Sequence, residues 1–313
     1  MTTHYCLLEQ DGLLHIVGPD SLKFLQGQTT CDTEAVALDR SVQGAYCTPQ
    51  GRVVCDFLLT ELGSDHFALR MRRAIMENSA AVFGKYIIFS KAELDAKRSD
   101  WEIIAVWGDD AAARLSSITG QSFNGQLSAV ATDGRIAVQG NEAGTAFECF
   151  VEASYKAAFL EALASELDAG QEADWQAQQV RSGLARIEEA TVEEFVPQII
   201  NYDITEHINF KKGCYTGQEV VARLHYRGTP KRRTYIAELD ASPGDLPAPG
   251  TAVYADAKEQ SIGTIVNCAA GEKGAVALVA VTLDAAKQPL RYGSNTGNTF
   301  QVVAPPYPLE KDA

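Results

Sequence analysis

The hydrophobic positions in the first hundred residues alternate between short apolar runs and helical spacings, which predicts a mixed α+β region. Turn residues at 49–51 (Pro-Gln-Gly) separate two of the apolar runs and predict a hairpin. The predicted elements are strands at 13–17, 45–47, 53–59 and 86–89 and a helix over 74–83.

A second region repeats this mixture and predicts an antiparallel sheet with helices on one face, because its elements follow in the order β-α-β-β-α. Asp109 is a candidate cap for the first of its helices, which stops at Gly120, and Asp174 is a candidate cap for one further helix over 175–185. The predicted elements are strands at 101–107, 135–138 and 147–151 and helices over 111–118 and 155–167.

From Arg233 onward the pattern changes to short β-rich runs separated by Gly- and Pro-rich turns, which predicts a small all-β barrel or sandwich. These runs cover 234–239, 251–254, 262–267, 276–281 and 300–303. A domain boundary is therefore expected near residue 230.

The composition of the 313 residues, 46% hydrophobic and 22% charged, is that of a globular chain. No window approaches about 18 apolar residues, and the opening residues lack a basic flank and an apolar run. We therefore expect no membrane span and no secretion signal, and a cytoplasmic protein. The seven cysteines are scattered, odd in number and never in a CxxC pair, so we expect thiols and no metal site.

The net charge of −14 argues against a general binder of nucleic acid or anionic membranes. It hides a local reversal, because seven basic residues and only one acid lie between Lys211 and Arg233. Such an island is either a candidate anion site or a solvated helix face followed by a linker, and composition leaves both open.

The island begins with the segment at 210–223, in which Gly213 and Gly217 bracket a tight loop and a helix follows from 218 to 226. Cys214 lies just ahead of this helix, and Lys212 precedes it by two residues. A cation and the positive end of a helix dipole both favour a reactive thiolate. The alternative is that Cys214 is a small buried hydrophobe.

The run KKGCYTGQE at 211–219, followed by Val221-Ala222-Arg223 and Arg227-Gly228, resembles the signature of the YgfZ family of folate-binding proteins. This family is related to the glycine-cleavage T-protein, an aminomethyltransferase, and includes a mitochondrial branch needed for iron–sulfur protein maturation. Further matching segments lie at 18–21, 24–28, 51–52, 85–91, 195–198 and 306–309.

The resemblance implies an α+β, T-protein-like fold with three lobes. Two ferredoxin-like lobes, at about 1–95 and 96–230, make up the folate-binding region 1–230, and 231–313 forms a C-terminal β-barrel. A central opening between the lobes is expected to hold tetrahydrofolate or a one-carbon derivative.

The resemblance also implies which residues meet the folate. Trp175 matches a position that stacks on the pterin, with an amphipathic core tryptophan as the alternative. Lys212, Arg223 and Arg227 are candidate cations for the glutamate tail, and the spacing of four places the two arginines on one helix face. Asp56 is the remaining candidate.

Two departures from the T-protein pattern leave enzymatic activity open. T-proteins that transfer an aminomethyl group carry an Asp-Asp pair where this chain has Cys55-Asp56, and a carboxylate is needed there for charge stabilisation or proton transfer. Asp56 is then either a folate contact or a hydrogen-bonding group at a strand end. Arg181-Ser182-Gly183 also stands where an acid before the glycine is common, which leaves recognition of the pterin edge open.

Three functional hypotheses follow. The first is a folate-binding accessory protein for iron–sulfur client enzymes, including those that modify tRNA, with Cys214 as its catalytic thiol and tRNA reached only indirectly. The second is a folate-dependent aminomethyl or one-carbon transferase. The third is a tRNA-binding module, whose basic island would bind phosphate with a steep salt dependence.

Overall fold

The computed structural model describes residues 2–255 and 258–309. The helices are α1 (Ser21–Gln28), α2 (Arg73–Ile87), α3 (Ala111–Thr119), α4 (Ala153–Glu166), α5 (Glu172–Arg181) and α6 (Gln218–Arg227). The first strands are β1 (His4–Leu7), β2 (Asp11–Val17), β3 (Val42–Cys47), β4 (Val53–Gly63), β5 (His66–Arg72), β6 (Glu93–Asp95), β7 (Trp101–Trp107), β8 (Ala129–Thr132), β9 (Arg135–Gln139), β10 (Ala146–Glu152) and β11 (Asp168–Ala169). The remaining strands are β12 (Arg232–Leu239), β13 (Ala252–Ala255), β14 (Ser261–Gly271), β15 (Gly274–Thr282), β16 (Leu290–Tyr292) and β17 (Thr299–Phe300).

The first sheet has the strand order β3-β4-β5-β2-β6. Leu14 of β2 and Leu69 of β5 are paired and fully buried, and consecutive residues of both strands are buried, so both faces of the sheet are covered there. Helix α2 packs on β2 and β5. The hairpin predicted around residues 49–51 is present as β3 and β4.

The strand predicted at 86–89 is wrong. Helix α2 continues to Ile87, and the residues after it form a turn. Phe83 and Ile87 are both buried and four residues apart, which is helical spacing, so the apolar run continues the helix instead of starting a strand. Ile88 and Phe89 are left 72% and 88% exposed.

The second sheet has the order β11-β1-β7-β10-β9-β8. Its strands from β1 to β8 pair antiparallel, as predicted, whereas the short β11 pairs with β1 in parallel. Its buried side chains Ile104, Val106 and Phe147 form one core cluster with Phe159 and Leu163 of α4. Helix α3 ends at Gly120 with a positive φ of 71°, as predicted. The sequence did not indicate that the N-terminal β1 belongs to this sheet.

A buried ion pair joins the first two sheets. Arg70 of β5 contacts Glu148 of β10, and their side chains are 6% and 8% exposed. Within the first sheet, Arg72 of β5 and Asp11 of β2 form a second pair, with 3.1 Å between Nη1 and Oδ1. Charged groups are rarely buried as fully as Arg70 and Glu148 unless they are paired, so their contact links the two sheets.

The third sheet is antiparallel, with the order β12-β15-β14-β13-β16-β17. An isolated bridge between Ile236 of β12 and Val303 brings the segment after β17 back to the first strand. The sheet thereby curls into the predicted C-terminal barrel. Val253, Ile265 and Val279 are fully buried in its core.

The contacts divide the chain into two compact units. The first comprises Met1–Ala45, Phe57–Glu172 and Lys211–Tyr215, and the second comprises Tyr46–Asp56, Ala173–Phe210 and Thr216–Ala313. Across residues 2–255 and 258–309, none of the helices combines the length and the apolar character that a membrane crossing requires.

A pair of histidines in the first unit predicts a pH-dependent stability. His15 is fully buried, and its Nδ1 lies 2.9 Å from Nε2 of His66. Burial, with His66 and Arg98 adding to it, lowers the pKa of His15 to about 4, against the opposing effect of Asp100 and Asp95. Burial lowers the pKa of His66 as well.

The unfolded chain therefore binds a proton at His15 at a higher pH than the folded chain does. The contribution of neutral His15 to the free energy of unfolding is complete above the unfolded pKa of about 6.5. About 2–3 kcal/mol of it is lost as the pH falls towards 4. We expect the thermal midpoint of wild-type protein to fall over this range, and His15→Gln to flatten that fall. His4→Gln is the matched control, and an unchanged pH slope in His15→Gln would contradict the prediction.

Candidate functional site

Cys214 lies on the exposed loop between residues 211 and 217. It is the exposed cysteine of the seven; five others are buried and Cys268 is partly buried. The buried-hydrophobe alternative therefore does not describe it. Gly217 is the N-cap residue of α6, and Cys214 lies three residues before it.

Lys212 anchors this loop to α1. Its Nζ donates hydrogen bonds to the backbone oxygens of Gln26 at 2.7 Å and Thr29 at 2.6 Å, at the C-terminal end of the helix. Nζ also lies 5.3 Å from the centroid of the Tyr215 ring. Burial lowers the pKa of Lys212 to about 8. A cation on the last carbonyls of a helix is a stabilising arrangement, and it gives Lys212 a positioning role that the sequence did not suggest.

We predict that Lys212→Met loosens this loop. The substitution removes two charge-assisted hydrogen bonds and leaves the helix carbonyls without them, at a cost of about 1–3 kcal/mol. The measurement is thermal unfolding, with Lys23→Met, an exposed lysine on α1, as the control. Equal midpoints for the two variants would show that the anchor contributes nothing.

Helix α6 begins against the turn between β3 and β4. Gly217 has φ 83°, and a Cβ at this position would collide with the carbonyl oxygen of Thr48. Gly51, in the turn, has φ 72°, and a Cβ there would lie 2.9 Å from Val220. Gly51 and Gly217 are thus both required, because the start of α6 and the β3–β4 turn lie too close together for a Cβ atom at either position.

The exposed side of α6 carries the two predicted arginines. Val221 is buried, and its carbonyl accepts a hydrogen bond from Nε2 of Gln198 at 2.8 Å, which fixes the inner face. Arg223 and Arg227 are both exposed, and neither makes an ion pair among the described residues. Both arginines lie on α6 and are exposed, as expected from their spacing of four on one helix face. Their role towards a folate tail stays a prediction.

Asp56 is held on all sides by protein groups. It is 1% exposed, and its two carboxylate oxygens accept from Nε of Arg186 and from the backbone N–H of Ile187, each at 2.6 Å. Burial and Asp56 raise the pKa of Tyr202, whose hydroxyl donates to the carbonyl of Ala185 at 2.9 Å. This geometry favours the hydrogen-bonding alternative for Asp56 over a folate contact, but Asp56 lies within β4 and not at a strand end as predicted. Arg186 and Tyr202 were not singled out from the sequence, where nothing links them to Asp56.

Trp175 lies on α5 and is only 4% exposed, which favours the alternative of a core tryptophan, and its stacking on a pterin stays a prediction. The helix starts at Glu172, before the predicted cap Asp174, whose Oδ1 instead accepts from the backbone N–H of Glu272 at 2.7 Å. Gln176 follows Trp175, and its Nε2 is buried with no hydrogen-bond partner among the described residues. A buried amide donor of this kind is rare in a protein interior and is a candidate ligand contact.

Arg181, at the end of α5, makes a bidentate ion pair with Glu238 of β12, with both distances 3.1 Å. Its Nη2 also donates to the carbonyls of Lys273 and Gly274 at 3.2 Å. The residue that departs from the T-protein pattern therefore ties α5 to the barrel within the second unit.

The predicted site residues fall in both units. Lys212 and Cys214 belong to the first unit, whereas Asp56, Trp175 and the two arginines belong to the second. Cys55 and Cys47 are fully buried on neighbouring strands, and burial raises the pKa of the Cys47 thiol. No group of three or more histidines, cysteines or acids in the described part of the chain is arranged to hold a metal ion.

The fold is that of the glycine-cleavage T-proteins. The structure superposes on aminomethyltransferase T of the glycine cleavage system from Bartonella henselae with a TM-score of 0.76, covering 99% of this chain and 87% of that one at 16% identity. The sequence profile of the GCVT N-terminal domain matches residues 8–178.

Two relatives are called tRNA-modifying protein YgfZ. The one from Aliivibrio fischeri is 32% identical over 237 residues, 74% of this chain and 71% of the relative. The one from Yersinia pseudotuberculosis is 29% identical and covers 97% of this chain and 92% of the relative. The chain therefore belongs to the GCVT-domain family, in its YgfZ branch, which confirms the resemblance read from the sequence.

The second unit contains the kinds of group that a folate needs. The indole of Trp175, the unpartnered amide of Gln176 and the arginines of α6 are an aromatic ring, a hydrogen-bond donor and cations, the three kinds of group that a pterin with a glutamate tail needs. The second carboxylate of a transferring T-protein does not have a counterpart at Cys55, which is fully buried.

Proposed function

We propose that this protein binds tetrahydrofolate, or a one-carbon derivative of it, and supports the assembly or repair of iron–sulfur enzymes, including enzymes that modify tRNA. Membership of the GCVT-domain family supports the folate, and the name shared by its relatives supports the link to tRNA modification. The catalytic role of Cys214 and the iron–sulfur clients are the finer part of the proposal.

The observation that carries the proposal is the exposed thiol of Cys214 on a loop that Lys212 anchors. A thiol that acts on a client or a bound ligand has to be accessible, and an anchored loop holds it at a defined position. Tetrahydrofolate, when bound, would accept a one-carbon unit, and a one-carbon derivative of it would supply one. In this proposal Trp175 contacts the pterin ring, Gln176 donates to its edge, and Arg223 and Arg227 neutralise the tail.

The transferase alternative receives less support. It needs a carboxylate that is available to the reacting amine, whereas Asp56 is engaged by Arg186 and Ile187 and the preceding position is a buried cysteine. Activity gained in Cys55→Asp with an aminomethyl donor would revive this alternative.

Gln176→Leu is the sharpest variant for the folate proposal. Replacing an unsatisfied buried amide by an apolar side chain of similar size is expected to leave stability unchanged or raise it, while folate affinity falls about tenfold. Calorimetric titration with tetrahydrofolate measures the affinity, and thermal unfolding measures the stability. Gln179→Leu on the same helix is the matched control. The absence of any binding heat in the wild type would remove the folate from the proposal.

A further inference from the structure

The exposed segment at 226–232, which joins α6 to β12, is basic, and it includes Arg227, which the folate proposal also uses. It holds Arg227, Lys231 and Arg232, three of the 27 basic residues, and none of the 41 acidic ones. All three are exposed, and none makes an ion pair among the described residues. Arg233, the next residue, is instead buried and paired with Asp203, with Nη1 2.6 Å from Oδ1.

The structure therefore divides the basic island seen in the sequence. Lys212 is committed to the carbonyls at the end of α1, and Arg233 is committed to Asp203. The cations between Tyr226 and Arg232 are not committed in this way, and they belong to a protein whose overall charge is −14. A local concentration of unpaired cations on an acidic protein selects an anionic partner by charge, since most other surfaces of the chain repel it.

Aromatic rings adjoin these cations. Tyr226 is 67% exposed. His225 stacks on Phe210 with 3.6 Å between ring centroids and 10° between planes, and Tyr226 stands edge-on to His225 at 4.7 Å. The neighbouring rings hold the tyrosine in place from one side and leave most of its surface to solvent.

An exposed ring beside unpaired cations fits one kind of polyanion best. A single-stranded nucleic acid offers unstacked bases for the ring and phosphates for the cations, and stacking of a base on an aromatic side chain contributes about 1–3 kcal/mol. An acidic protein segment would use the cations and leave Tyr226 unused. We propose that residues 226–232 form a docking surface for a single-stranded RNA segment, with a base stacked on Tyr226 and the backbone on Arg227, Lys231 and Arg232.

The test is fluorescence anisotropy with a labelled single-stranded oligoadenylate of about 12 nucleotides, titrated between about 50 and 200 mM salt. Three phosphate contacts predict a logarithmic salt slope of about −2. Tyr226→Ala should weaken binding about tenfold without changing the slope. Lys231→Glu combined with Arg232→Glu should weaken binding and flatten the slope. Tyr155→Ala and Lys273→Glu are the matched controls for an exposed ring and an exposed cation in other places.

Arg227 belongs to both proposals, so the variants leave it unchanged, and none of them replaces Trp175, Gln176 or Arg223. Retained tetrahydrofolate binding together with lost RNA binding supports the surface, and it holds whether or not the folate proposal does. A flat salt response, or a silent Tyr226→Ala, overturns it. Equal binding of oligoglutamate with no effect of Tyr226→Ala would also overturn it and assign the surface to an acidic protein segment.

Discussion

Asp56→Ala is expected to lower the free energy of unfolding by about 3–5 kcal/mol, the largest loss of stability we predict for this chain. The carboxylate is 1% exposed, and removing it leaves the guanidinium of Arg186 partly buried with no carboxylate at Nε. The backbone N–H of Ile187 also loses its acceptor. Denaturant unfolding, followed by circular dichroism, measures the change.

The controls separate a structural role from a ligand role. In a double-mutant cycle, Arg186→Met should cost much less in the Asp56→Ala background than alone, because the charge left unpaired is then removed as well. Cys55→Ser, a nearly isosteric change of a buried side chain, provides a neighbouring control on the same strand. If Asp56→Ala kept wild-type stability but lost affinity for tetrahydrofolate, Asp56 would be a folate contact after all.

The role of Asp56 could not be predicted from the sequence, although its strand could. The strand that holds it was predictable, since an apolar run after a Pro-Gln-Gly turn has few alternatives. Its partner Arg186 lies 130 residues further on. No periodicity or spacing in one sequence reports a contact over that separation, so the role of a buried polar group stays open until the fold is known.

Local features were predictable where one physical rule dominated. Gly120 ends α3 with a positive φ, and the Gly-rich turns after Arg233 separate the strands of the barrel. The apolar residues at 86–89 do not distinguish a strand from the end of a helix, because the two patterns are alike over four residues, and the burial of Phe83 and Ile87 decides between them.

The positions of the cations between residues 211 and 233 were also predictable, but their partners were not. Charge counting located them correctly along the chain, but it treated Lys212, Arg227 and Arg233 as equivalent. Lys212 reaches backbone carbonyls and Arg233 reaches Asp203, whereas Arg227 stays exposed. Only the fold distinguishes a cation that stabilises the protein from one that is available to a ligand.

Cys214→Ala is expected to abolish the function of the protein in cells while leaving its stability unchanged. Because the thiol is exposed, replacing it creates no cavity, and the fold loses little. Complementation of a strain that lacks the family member is the measurement, with thermal unfolding of the purified variant beside it. A variant that is stable and inactive would assign the chemistry to this sulfur.

The other cysteines supply the matched comparison. Cys55→Ala removes a fully buried sulfur, so it should cost about 1 kcal/mol of stability and leave complementation nearly intact. Cys268→Ala tests a partly buried thiol on the barrel. In native protein, a thiol reagent should label one site rapidly, and Cys214→Ala should lose that label, because burial keeps five of the remaining thiols from the reagent and raises the pKa of Cys268 to about 11. If complementation instead survived Cys214→Ala and failed in Cys55→Ala, the active sulfur would be Cys55, and the fold would have to open to expose it.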